Sequence, residues 1–361
     1  MATSRPRVLQ FGKMPLPQLD AELAQAYEVT LLSEQPDRER FLAEHGAQFE
    51  YLVTSAAMGV PASVVQALPQ LRFVSSFGVG FNALDRESLL RQGARVGYTP
   101  GVLDDCVADM AFALLLDAAR GLSESDRFVR RGDWSQDRFG IRTRASGKRL
   151  GIFGMGRIGS TVARRADGFD MEVAYHNRRP VEGSPHLYQP SLLELARWAD
   201  FLVITAAGGD GTQHLVNAEV LDALGPQGFL INVARGSVVD EAALVQALQQ
   251  GRIAGAGLDV FEDEPRPHAE LLSQDNVVLA PHIASGTHET RRAMADLVLR
   301  NLAQFIATGR PEAEVPWSAA QQPTICCTSV KTDCSMNSIS PSNIWALLAK
   351  WRYRAASLTP R

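Results

Sequence analysis

The run Gly154-Met155-Gly156-Arg157-Ile158-Gly159 stands directly after the apolar run Leu150-Gly151-Ile152-Phe153, and that junction limits the fold more than any other stretch of the chain. The first glycine permits a tight turn from strand to helix. The second lets the backbone approach a pyrophosphate, and the third lets helix and strand pack closely. The flanks agree with this reading: 149–153 has the pattern of a strand, 157–168 that of a helix, and 171–176 that of the next strand. The whole is a βαβ unit with a dinucleotide-binding turn, in which the pyrophosphate rests on the helix N-terminus. Gly154, Met155, Gly156, Arg157, Ile158 and Gly159 are therefore candidate cofactor residues.

The end of the second strand bears on which dinucleotide is bound. An NAD-selective site places Asp or Glu there, to accept hydrogen bonds from the ribose 2′-hydroxyl and repel a 2′-phosphate. Positions 173 to 181 hold no acid, and Asn177-Arg178-Arg179 follows the strand instead. Planar, permanently charged guanidinium groups suit a phosphate dianion. The residues thus favour NADPH, with NAD as the weaker alternative; a solvated basic loop is the other explanation of adjacent arginines.

The rest of the chain divides around this unit. From residue 7 to 98, strand-like runs at 7–11, 28–32, 50–54, 72–76 and 95–98 alternate with helical patterns, which implies a small parallel sheet covered by helices. Residues 103–120 form an apolar helix whose burial points to a place between domains or in a dimer contact. Further strands at 200–204, 228–232, 254–258 and 276–279 complete the nucleotide unit, and 287–306 is an amphipathic helix able to pack back on the first sheet. The expected architecture is α/β: two doubly wound parallel-sheet domains, flavodoxin-like and Rossmann, with a cleft between them. The substrate domain comprises 1–99 with 287–316, and the nucleotide domain 100–286. Residues 317–361, with three of the four cysteines and no glycine, are read as a poorly ordered tail.

Composition narrows the function classes. A chain of 361 residues, 45% hydrophobic and with net charge −4, can bury a large core and offers no basic surface for nucleic acid. No apolar run reaches the roughly 18 residues of a membrane span, and no long apolar segment opens the chain, so the cytoplasm is the expected location. The cysteines fit neither a disulfide framework nor a zinc pattern, and no metal is expected.

Four polar residues fall at the ends of expected strands or in the loops after them: Arg235, Asp259, Glu264 and His282. In an open parallel sheet the ligand crevice lies outside those carboxyl ends, so one ligand can meet all four. Reduction of a 2-keto acid needs a cation to hold the carboxylate and polarise the carbonyl, a role Arg235 suits. It also needs a proton donor effective near neutral pH, which His282 supplies with a carboxylate such as Glu264 beside it. Val233 and Ala234, preceding Arg235, are further candidate cofactor residues.

The segments Asn232-Val-Ala-Arg-Gly236, Gly257-Leu-Asp-Val-Phe-Glu-Asp-Glu-Pro265 and Pro281-His-Ile-Ala-Ser285, in this order after the glycine-rich turn, make the chain resemble the D-isomer-specific 2-hydroxyacid dehydrogenases, in particular the NADPH-linked glyoxylate, hydroxypyruvate and hydroxyphenylpyruvate reductases. The likeness covers about residues 50 to 316. It implies that Arg235 binds the substrate carboxylate, His282 is the acid/base, Glu264 pairs with it and Asp259 faces the nicotinamide. It also implies that the turn Ser76-Phe-Gly-Val-Gly80 is the substrate loop, with the N–H groups of Val79 and Gly80 forming an anion nest. Trp134 matches a tryptophan that reaches into a partner subunit's pocket, although a surface-packed Trp fits as well. Leu52 and Met58, with Phe77, are taken as an apolar wall, with no basic residue beyond Arg235 to meet a second carboxylate.

The leading expectation is an NADPH-dependent reductase of small 2-keto acids, glyoxylate or hydroxypyruvate first and hydroxyphenylpyruvate second, acting as a homodimer. A dinucleotide-sensing scaffold without turnover is the alternative of another class. The full Arg, Glu and His set argues against it, since a sensor needs no acid/base pair.

Overall fold

The computed structural model describes residues 5–319. Twelve strands form two parallel sheets. The first joins β1 (Arg7–Gln10), β2 (Glu28–Leu31), β3 (Tyr51–Ser55), β4 (Phe73–Phe77) and β5 (Arg95–Gly97) in the order β2-β1-β3-β4-β5. The second joins β6 (Arg149–Phe153), β7 (Glu172–His176), β8 (Leu187–Tyr188), β9 (Phe201–Ile204), β10 (Phe229–Asn232), β11 (Gly255–Leu258) and β12 (Val277–Leu279) in the order β12-β11-β10-β9-β6-β7-β8. These are the flavodoxin-like and Rossmann orders, each reversing direction beside its first strand, and a crevice opens at that reversal. Eleven strands stand where the sequence puts them, within a residue or so. The twelfth, β8, was not anticipated; it pairs with β7 through Ala174 to Leu187 and Tyr175 to Tyr188.

The helix Asp104–Arg120 is apolar because it packs inside the nucleotide unit. Its inward residues include Val107, Ala111, Phe112, Leu114 and Leu115, and it lies against the helix Arg157–Ala166 and the strands β10, β11 and β12. Gly257 makes the close approach possible, since a Cβ there would stand 2.8 Å from that of Leu114. The start of this helix also reaches the helix that returns to the first sheet, where the Cys106 thiol donates to the Thr287 hydroxyl at 3.5 Å. Its burial is satisfied within the chain, by a sheet whose strands are covered on both faces.

The helix His288–Thr308 returns to the first sheet. Thr287 caps it by accepting from the N–H of Thr290 at 3.3 Å, and Gly309 ends it in the left-handed conformation. Phe305 stacks on Phe73 of β4 with centroids 4.3 Å apart, and the Asn301 amide donates to the Tyr98 carbonyl at 2.9 Å while accepting from Ala313 N at 2.8 Å.

The expected tail needs a correction at its start. Trp317 packs edge-on against Phe81, and the Ser318 hydroxyl accepts from the N–H of Val96 at 2.9 Å, so both residues belong to the folded unit. The remainder of that segment, 320–361, lies outside the described residues.

Candidate active site

The glycine-rich turn is shaped by contacts that exclude a side chain. Gly154 has φ +108° and would place a Cβ 2.4 Å from Ala206 N, while a Cβ on Gly159 would lie 2.4 Å from the Gly154 carbonyl oxygen. Gly156, by contrast, faces open space. The helix that follows has Gly156 as N-cap, no side-chain cap, and no acid in its first turn. Uncapped first-turn amides and the positive end of the helix dipole favour an anion. The turn therefore fits a dinucleotide pyrophosphate, held by Gly154 to Gly159.

Asn177 plays a part the sequence did not show. Its Oδ1 accepts from Met155 N at 2.7 Å and its Nδ2 donates to Met155 O at 3.3 Å, so the amide pins the glycine turn to the end of β7. Arg178 and Arg179, next in line, are exposed and carry no ion pair among the described residues. Val233 and Ala234 are buried at the end of β10.

The structure brings His282 and Glu264 together. His282 Nδ1 lies 2.7 Å from Glu264 Oε2, and Glu264 Oε1 accepts from Phe261 N at 3.1 Å. Burial alone would raise the Glu264 carboxyl pKa. The hydrogen bond and charge of His282, the Phe261 N–H and the charge of Arg235 outweigh it and hold the group below the usual carboxylate range. Glu264 is thus an anion beside the imidazole across neutral pH. His282 itself has φ +54°, an uncommon conformation for a non-glycine residue, and its N–H donates to the Asp259 carbonyl at 2.8 Å.

Asp259 is fully buried, and its two carboxylate oxygens accept from Ile283 N at 2.7 Å and Ala284 N at 2.8 Å. It braces the turn that presents His282. Burial pushes its carboxyl pKa up, with the two amides and His282 opposing.

Arg235 stands at the meeting of the two sheets. Its Nη1 donates to Ala234 O at 2.6 Å and its Nε to Asn82 Oδ1 at 3.4 Å, while a Cβ on Gly80 would fall 1.8 Å from Nη2. Gly80 of the expected substrate loop and Arg235 are therefore brought together across the cleft. Burial lowers the guanidinium pKa, Glu264 acting against the shift, and arginine stays charged regardless. Asn232 fixes this loop from below: its amide donates to Arg235 O at 3.0 Å and accepts from Ala234 N at 3.0 Å. Gly236 lets it touch the next loop, because a Cβ there would meet the Phe261 carbonyl carbon at 1.8 Å.

The expected substrate wall is only partly formed. Met58 is half-buried at the mouth of the first sheet, where its Sδ lies 2.6 Å from a Cβ built on Gly12, and Val79 is half-buried beside Gly80. Leu52 does not line the cleft: it is wholly buried within the first domain's core among Leu9, Val74 and Leu89. Adjacent Val53 belongs to the opposite face of β3, as strand alternation requires. Phe77 is buried too, and a second cation, Arg291, lies over its ring. Trp134 is 70% exposed.

The D-isomer-specific 2-hydroxyacid dehydrogenase NAD-binding domain family matches residues 112–284. The hydroxyphenylpyruvate reductase of Plectranthus scutellarioides is 44% identical over 81% of this chain and 93% of its own length. Glyoxylate/hydroxypyruvate reductase A of Arabidopsis thaliana is 43% identical over 79% and 91%. Among solved structures, the NADPH-dependent glyoxylate/hydroxypyruvate reductase of Sinorhizobium meliloti, in complex with NADP and malonate, superposes with a TM-score of 0.82 at 41% identity, covering 87% of this chain and 98% of that one. With a glycine turn shaped for a dinucleotide, a Glu264-supported His282 and Arg235 at the mouth of the cleft, the chain belongs to the D-isomer-specific 2-hydroxyacid dehydrogenases.

Proposed function

We propose that the protein is an NADPH-dependent reductase of small 2-keto acids, with glyoxylate and hydroxypyruvate as first substrates and hydroxyphenylpyruvate as the alternative. The observation that carries the reading is the convergence of Arg235, Glu264 and His282 at the junction of the two sheets. In this mechanism Arg235 and the N–H groups of Val79 and Gly80 hold the carboxylate and polarise the keto group. His282, protonated and supported by Glu264, gives its proton to the carbonyl oxygen as that oxygen becomes an alkoxide. When bound, the nicotinamide supplies the hydride. Asp259 and Asn232 keep the two reacting side chains in place.

The preference for NADPH is supported by the missing acid at the end of β7 and by the exposed Arg178 and Arg179, which carry no ion pair among the described residues. The Sinorhizobium meliloti reductase, an NADPH-dependent enzyme, supports the cofactor reading, and the plant and archaeal relatives, glyoxylate and hydroxyphenylpyruvate reductases among them, support the substrate reading. A homodimer is supported by the exposed apolar residues Leu122, Val129, Trp134 and Ile141, which form no core of their own in the segment after the helix Asp104–Arg120. The division into a substrate domain, 1–99 with 287–316, and a nucleotide domain, 100–286, rests on the return of the helix His288–Thr308 to the first sheet. A cytoplasmic location, read from the sequence, belongs to the same proposal. Among the described residues no helix is long and apolar enough to cross a membrane.

The test is a kcat/KM series with NADPH and with NADH across glyoxylate, hydroxypyruvate, pyruvate, hydroxyphenylpyruvate and oxaloacetate. Glyoxylate or hydroxypyruvate with NADPH should lead. Absence of turnover with every acid would leave the sensing scaffold, and equal efficiency with the two cofactors would remove the role given to Arg178 and Arg179.

A further inference from the structure

Three loops leave the carboxyl ends of the neighbouring strands β9, β10 and β11 side by side. The loop after β9, 205–214, starts against the glycine-rich turn, where the Thr205 hydroxyl donates to Gly154 O at 2.8 Å. It then passes over the stem of Arg235: a Cβ on Gly208 would stand 2.7 Å from Arg235 Cγ and 3.0 Å from its Cβ. Its far end is fixed by His214, whose N–H donates at 2.8 Å to the carbonyl of Ser237, just beyond Arg235. The His214 side chain reaches further, to the third loop, where its Nε2 is hydrogen-bonded to Glu262 Oε1. A carboxylate only accepts, so Nε2 carries the proton and the bond holds whether the imidazole is neutral or charged.

This bond lies beside a backbone approach that only glycine permits. A Cβ on Gly236 would meet Phe261 O at 1.9 Å and Glu262 N at 2.4 Å, so the loops carrying Arg235 and Glu264 are in backbone contact. Glycine allows that approach but supplies no attraction to maintain it. The bond between His214 and Glu262 does, since it runs from the Ser237 side of the contact to Glu262 itself. His214 also has φ +52°, which a residue other than glycine keeps where the surrounding structure imposes it. The two side chains are 40% and 32% exposed, so water screens the pair and its share of global stability is small. Its effect is local, on the placement of one loop against the other.

We propose that His214 and Glu262 are positioning residues: they form a strap that closes the Glu264 loop onto the Arg235 loop, and so set the distance between the group that holds the substrate and the pair that delivers the proton. This rests on the reading of Arg235 as the carboxylate-binding residue and His282 as the acid/base. Both strap residues act through Arg235 and Glu264 rather than on the substrate. Binding of the ground state by Arg235 and the Val79 and Gly80 amides survives a loosened strap. The transition state needs every group in register, so the loss falls on kcat rather than KM.

The test compares the parent enzyme with His214→Gly, His214→Gln, Glu262→Ala and the double variant of His214→Gly with Glu262→Ala. Glycine suits φ +52°, so the first removes the side chain without straining the backbone. Its kcat for glyoxylate should fall about tenfold, short of the roughly hundredfold cost of a misplacement of about 1 Å, with KM and NADPH affinity within about twofold of the parent. The melting temperature should change little, while exchange of the amides across 261–264 should rise. His214→Gln keeps a donor at a similar reach and should restore most of kcat and most of the protection. The double variant should be no worse than His214→Gly, because both changes break one bond. Parental kcat in His214→Gly would overturn the proposal, as would equal losses in His214→Gly and His214→Gln, a KM rise that matches the kcat loss, or additive losses in the double variant. If His214→Gly fails to fold, Glu262→Ala carries the same expectations. Amide exchange is read without substrate: raised exchange in His214→Gly upholds the strap even where Arg235→Ala and His282→Ala prove fully active and the catalytic reading falls, and unchanged exchange removes it.

Discussion

Gly236→Ala adds one methyl group at the point where the Arg235 loop touches the loop that carries Glu264. A Cβ at 236 would stand 1.8 Å from the Phe261 carbonyl carbon, 1.9 Å from its oxygen and 2.4 Å from Glu262 N. All three are backbone atoms, so no side chain can rotate away. Carbon atoms rest about 3.5–4.0 Å apart, which requires the two loops to separate by roughly 2 Å. Arg235 lies one residue before the methyl, Glu264 three residues after Phe261, and their mutual placement is what the mechanism needs. A misplacement of about 1 Å can cost about a hundredfold in rate, so kcat/KM should fall by at least that factor. Overpacking should cost about 1–3 kcal/mol in stability, leaving the protein folded. NADPH affinity should change little, because the glycine turn lies elsewhere on the sheet. The assay is steady-state reduction of glyoxylate alongside a cofactor titration, with Gly168→Ala as control, since nothing stands within 4 Å of a Cβ there. A Gly236→Ala enzyme within threefold of the parent would refute the argument that contact between these loops sets the site.

Glu264→Gln removes the anion hydrogen-bonded to His282 Nδ1, so kcat/KM for reduction should fall by about tenfold, and an unchanged kcat/KM would break the pairing. Arg178→Ala with Arg179→Ala should erase most of the preference for NADPH over NADH, a change of about ten- to a hundredfold measured as a ratio of kcat/KM values. Asn177→Ala should weaken both cofactors alike, by a similar factor, because it frees the glycine turn and discriminates nothing; a selective effect would show that Asn177 reads the 2′ position. Ending the chain after residue 316 should lower the melting temperature by more than ending it after 319, because it removes the Ser318 hydroxyl from Val96 N.

What the sequence disclosed and what it withheld follow from how each signal arises. Strand-ending polar residues in an open parallel sheet must gather at one edge, so Arg235, Asp259, Glu264 and His282 could be placed together without coordinates. The apolar helix at 104–120 was legible as buried, but hydrophobicity does not name the surface that covers a face. Leu52 was misplaced for a related reason: both faces of a parallel sheet are covered, so alternation separates Leu52 from Val53 without saying which turns to the cleft. Two-residue β8 is too short to show any period. Asn177 binds a backbone 22 residues away, and Gly236 matters through contact with a separate loop, relations that no local pattern records. Arg291 and Arg292 are adjacent on one helix, and only the packed structure shows that one meets Glu22 while the other turns to Phe77.

The central claim is that His282 donates the proton and Arg235 holds the substrate. Single-turnover reduction of glyoxylate by NADPH, compared among the parent, His282→Ala and Arg235→Ala, tests it most directly. The account predicts a loss of about a hundredfold or more in each variant, with NADPH binding retained. Near-parental hydride transfer in either variant, at unchanged cofactor occupancy, would contradict it.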